Sequence, residues 1–107
     1  MAIKLAKQAE LASDSLFISK VGQATFTAAI AISNEAPETP NHVARVQLAN
    51  TIIVNWSFVR ESFLRCVLTQ IPSEEPTDVE ISNAVAAVWN TIALAMFPHS
   101  VSLPDNG

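Results

Sequence analysis

TPNHVARVQLANTIIVNWSFVRESFLRCVLTQ, residues 39–70, decides how the rest of this chain is read. Thr39 can cap a helix with its hydroxyl, and Pro40 then falls at the first helical position, where its missing N–H costs nothing. Ala44, Leu48 and Ile52 follow at four-residue spacing and share one face. A second stripe runs through Trp56, Val59, Phe63, Cys66 and Val67, with Arg60, Glu61 and Arg65 mostly opposite, so this half is amphipathic. Ile52, Ile53 and Val54 form a β-branched run of lower helix propensity, and Asn55 is a good N-cap. The pattern therefore predicts two helices, at about 40–53 and 56–71, in preference to one continuous rod.

Working outward, Ser13 and Asp14 supply an earlier N-cap, and a helix is predicted over about 15–34. Phe17, Val21, Ala24, Ala28 and Ala31 make its stripe, flanked by Ile18, Thr25, Ala29 and Ile32. Lys20, Gln23, Thr27 and Asn34 mark the wet side. Phe26 and Ile30 lie off the main stripe. They are candidates for a second buried surface, although Ile30 also reads as the edge of a wide core stripe. Ile3 to Ala12 is either a short first helix or a terminal arm.

Two connections contain prolines. NEAPETP (34–40) is stiff because each proline disfavours helix in the residue before it. IPSEEPTD (71–78) ends in a capping box, Thr77 with Glu80, and Asp78 complements the following helix start. That helix should run over about 78–97, with Ile81, Val85, Val88, Ile92 and Met96 in its stripe and Trp89 and Phe97 flanking. Trp89 suits either the core or the centre of an interface. Pro98 ends the helix, and the remaining tail should be extended, with Val101 and Leu103 able to pack on the domain or on a neighbouring subunit. No segment shows sustained strand alternation. The expected fold is all-α: one domain, a compact bundle of four main helices.

Composition narrows the function. Half of the 107 residues are hydrophobic and only 15% are charged, against roughly a quarter in ordinary soluble chains. A small domain has proportionally more surface to cover with polar groups. Apolar surface should therefore be left over for a partner, first of all for copies of the same chain. A formal charge of −4 argues against a nucleic-acid binder, which needs a basic face. One cysteine excludes an intrachain disulfide. The N-terminal stretch lacks the unbroken apolar core of a signal peptide, and uninterrupted apolar runs are far shorter than a membrane span. The expectation is a soluble protein made in a cytoplasm.

Catalytic chemistry finds little footing. His42, at a helix start, reads as a hydrogen-bonding partner rather than a base, and His99 lies in the tail. Cys66 reads as a small core residue. Glu74, Glu75, Asp78 and Glu80 read as a solvated loop plus a helix cap. No catalytic, cofactor-binding or metal-ligating set is predicted. Arg45, Arg60 and Arg65 could pair with carboxylates within or between subunits. Arg60 and its neighbour Glu61 do not face each other. The candidate partner surface comprises Phe26, Ile30, Arg60, Arg65, Trp89, Val101 and Leu103.

From Phe17 to about Phe63 the chain resembles a group of small helical proteins encoded among tailed-phage structural genes. The matching residues are Phe17, Lys20, Val21 and Ala24, then Glu35, Thr39-Pro40-Asn41-His42, Arg45 and Ala49, then the helix start from Asn55 to Phe63. TPNHVAR is the most specific piece. The pattern departs at Trp56, where a proline is expected, and it does not reach the first dozen residues or anything after Pro72. The resemblance implies a virion assembly protein without cofactors, foremost a subunit of the neck or head–tail connector ring, assembled in the host cytoplasm. Its implied partners are copies of itself and portal or tail components. A capsid-surface or tail accessory protein, or a helical interaction module outside a virion, is the alternative.

Overall fold

The computed structural model of the chain describes residues 4–98. The expected extended tail, with His99, Val101 and Leu103, lies outside the described residues. Four helices make the fold: α1 (Leu5–Ala12), α2 (Ser15–Ser33), α3 (His42–Leu68) and α4 (Asp78–Met96). α3 packs on both α2 and α4, which also pack on each other, and α1 leans on α2 and α3.

Helix starts with local chemistry sit where the sequence puts them. Asp14 caps α2, its Oδ1 accepting from the amides of Leu16 at 2.9 Å and Phe17 at 3.1 Å. Thr77 and Glu80 close the capping box of α4 in both directions, at 3.1 and 2.9 Å. Ser73 adds a third bond to Glu80, at 3.1 Å. These bonds stabilise the charged carboxylate and hold the Glu80 acid below its usual range, the Thr77 backbone bond contributing most.

The start of α3 differs from the expected Thr39 cap with Pro40 at the first helical position. The chain instead makes successive turns, Thr39 N–H to Ala36 O and His42 N–H to Thr39 O, and α3 begins at His42. Asn41 stands before it in the left-handed region at φ 61°, ψ 22°. Asparagine tolerates that region better than most residues with a Cβ.

α3 carries the expected break as a kink. Asn55 has φ −112° and ψ 19°, outside the helical region, while helix continues on either side. The anticipated pair of helices is present as two arms of one bent element. Two side chains account for the bend. Thr51 Oγ1 donates to the Gln47 carbonyl at 2.9 Å, and Asn55 Nδ2 donates to the Thr51 carbonyl at 3.0 Å. Bonds of this kind to the carbonyl four residues back open the backbone ladder on one side.

The core forms one cluster across all four helices. Leu11, Phe17, Val21, Leu48, Ile52, Phe63, Val67 and Val85 are among its buried members, and Ile71 seals it from the α3–α4 loop. In α2 the buried line is Phe17, Val21, Thr25, Ala29 and Ile32, displaced from the alanine stripe expected. Ala24 and Ala28 are half-buried, and Ala31 is exposed. The displaced line is the one that carries the larger side chains. Thr25 is fully buried because its hydroxyl is satisfied within the helix, donating to Val21 O at 2.7 Å.

Candidate interaction surface

Polar chemistry in the described residues gathers at one place, the α2–α3 connection. Arg45 Nη1 donates to both oxygens of Glu35, at 2.7 and 2.8 Å. His42 Nδ1 lies 3.0 Å from Glu35 Oε1. All three side chains are mostly buried. His42 and Arg45 lie three apart on the first turn of α3, so both face the returning loop. The expectation of His42 as a hydrogen-bonding partner therefore has a specific form. Glu35, His42 and Arg45 engage one another, so the most specific piece of the phage-like pattern fastens a loop to a helix.

Trp89 completes that fastening. Its Nε1–H donates to the Arg45 carbonyl at 3.2 Å, and its ring meets Phe63 edge-on at 6.1 Å between centroids. It therefore touches both arms of kinked α3. At 1% exposure Trp89 belongs to the core of this chain and is unavailable to a partner. The physical reason is the bend, which lets Arg45 and Phe63 approach one indole. The aromatic contacts continue outward, Phe63 to Trp56 at 6.2 Å and Trp56 to Phe26 at 5.3 Å, ending at the surface.

The other candidate residues divide. Phe26 is 36% exposed beside Trp56, and Ile30, one turn on, is 63% exposed. Ile30 is thus a surface residue, not the edge of the core stripe. Because α2 and α3 run antiparallel through the Phe26–Trp56 contact, Ile53 stands about level with Ile30, and it too is exposed. Arg65 pairs with Glu61 at 3.3 Å, both ends in solvent. Arg60 makes no ion pair with a described carboxylate and borders an open cleft of about 520 Å³, together with Ile18, Gly22, Trp56 and Leu64. Cys66, expected in the core, is exposed. Phe63 and Val67 turn inward with Leu68 beside them, which leaves Cys66 on the rim. Among the described residues no group of three or more His, Cys, Asp or Glu is placed to hold a metal.

The most exposed apolar residues of α3 were not among the candidates. Phe58 is 87% and Val54 80% exposed, and being four apart they form a ridge on the solvent side of the helix. Phe58 falls outside both apolar stripes of residues 39–70. An aromatic residue with no place in a core stripe was the available signal.

Two helices, Ser15–Ser33 and Asp78–Met96, are long and apolar enough to cross a membrane by length and composition, each with a mean hydropathy of 1.3. Uninterrupted runs miss this, because isolated polar residues such as Lys20 and Asn90 break runs without lowering the average much. The described residues of both helices also furnish much of the buried core. Comparison with protein-family models, with curated proteins and with solved structures finds no match.

Proposed function

We propose that this chain is a non-enzymatic assembly subunit that works as multiple copies in the virion of a tailed phage, with the neck or head–tail connector ring as its leading placement. Its partners in that reading are copies of itself and portal or tail components, and it neither crosses a membrane nor reads a nucleic-acid sequence.

One observation carries the assembly part. Apolar side chains that the fold leaves uncovered gather along the α2–α3 seam and the solvent side of α3: Phe26, Ile30, Ile53, Val54 and Phe58. A contiguous patch of this kind is what a soluble monomer avoids and an interface uses. A ring requires different patches meeting head to tail, and a chain with apolar ground on more than one element suits that geometry. The phage placement is supported by the resemblance over Phe17 to Phe63 alone. The non-enzymatic part is supported by Glu35, His42 and Arg45 being engaged with one another.

Particle localisation tests the placement. The chain should copurify with intact virions, on the order of a dozen copies per particle for a ring. Recovery of the chain only from the particle-free lysate contradicts a virion role. A variant lacking residues 98–107 should assemble poorly while its circular dichroism stays helical. Loss of helicity on that truncation would assign the tail to the fold instead.

A further inference from the structure

Beside the bend of α3 lies a hollow of about 190 Å³, between the two arms of that helix and the end of α4. Leu48, Ile52, Val59, Phe63, Ile92 and Met96 supply its apolar walls, and it shows no polar surface. A dry cavity of about 150 Å³ with walls of this chemistry is large enough for a benzene ring. Phe58, which stands 87% exposed, is such a ring. Its own chain cannot place it there, because Val59, in the wall, is turned about 100° from Phe58 around a rigid helix.

We infer that Phe58 of one copy of this chain inserts into the α3–α4 hollow of another. The occupant is a second copy because the same molecule supplies both a protruding ring and an apolar recess of matching size on separate faces. That arrangement lets every copy both give and receive a contact. Val54, Ile53, Ile30 and Phe26 continue the apolar ground around Phe58. At roughly 100–200 Å² for each large side chain, five such residues together with the hollow approach the ~800 Å² per partner of a standard interface. Arg60, which has no carboxylate partner among the described residues, is on the same arm and available to an acidic group of the neighbour. The inference rests on the reading of the chain as an assembling subunit and adds which atoms meet.

Cys66, on the edge of the hollow, reports the contact. Within one chain residues 58 and 66 are about 12 Å apart along the helix, too far for a disulfide. Chains carrying F58C and C66S, mixed with tagged wild-type chains, should cross-link to them under oxidation or with a short bis-maleimide. The same chains alone should not cross-link. F58A and F58D should keep the wild-type circular dichroism and lower the assembled fraction at least tenfold by light scattering. Wild-type assembly that persists in F58D without the mixed cross-link overturns this contact and leaves the assembly reading standing. A wild-type chain that is monomeric at every concentration overturns both. A monomer that sediments with phosphatidylcholine vesicles, and ceases to do so in F58D, also overturns the inference by assigning the ridge to lipid.

Discussion

Single side chains around the α2–α3 connection do most to fix the shape that presents the surface. Arg45→Met removes both bonds to Glu35 and leaves that carboxylate with His42. The loss should be about 1–3 kcal/mol by urea unfolding, below the value for a fully buried pair because roughly a fifth of each side chain stays in solvent. Arg45→Met with Glu35→Gln should cost less than the sum of the two changes, as expected for groups that share a bond. Trp89→Phe keeps a ring against Phe63 but loses the donor to the Arg45 carbonyl, for about 1–2 kcal/mol, and Trp89→Ala should cost about 3–5. Asn41→Val should cost about 1–2 kcal/mol through its left-handed backbone, whereas Asn41→Gly should be close to neutral. An equal tolerance of Val and Gly would mean that the loop relaxes out of this conformation. None of these contacts has a local sequence signature. Glu35, His42 and Arg45 are legible as a recurring pattern, but only the returning chain shows that they meet.

Elements were legible where their chemistry is local. Asp14 and the Thr77–Glu80 pair act within three residues, so α2 and α4 start where their caps demand. Asn55 was legible as a break because a β-branched run precedes it and its side chain can replace a backbone bond. Thr39 and Pro40 misled, since the loop bends back to reach Glu35 and so moves the helix start to His42. The stripe of α2 was displaced for a related reason: alanines have the periodicity, but the larger Phe17, Val21 and Ile32, with self-satisfied Thr25, occupy the core. Thr77→Ala should lower stability by about 1 kcal/mol in thermal unfolding. Glu80 gives the same cap a pH signature. Its acid form is disfavoured in the folded chain, so the unfolded chain binds the proton more readily. Its contribution is complete above the ordinary glutamate range near 4.5 and declines as pH falls toward the lower folded value. Stability measured from pH 6 downward should therefore fall more steeply in the wild type than in Glu80→Gln, and matching slopes would deny the cap that role.

At the scale of the whole molecule, a chain half hydrophobic in composition closes one core and still leaves Phe58, Val54 and Ile30 in solvent. The surplus was legible in composition, but its position was not, because facing on α3 depends on where the helix bends. Phe26 and Ile30 were identified from their offset to the α2 stripe. Trp89 was drawn inward by contacts with both arms of α3, and Val54 and Phe58 emerged as the ridge. If the ridge serves assembly, Phe58→Ala should leave the melting temperature of the isolated chain within about 2 °C, since an exposed side chain stabilises the monomer little, while shifting the association equilibrium. Native mass spectrometry of the purified full chain, over a range of concentrations, tests the central claim most directly. Discrete multiples of the 11.5 kDa chain are expected to dominate, whereas a single-chain mass throughout would contradict it.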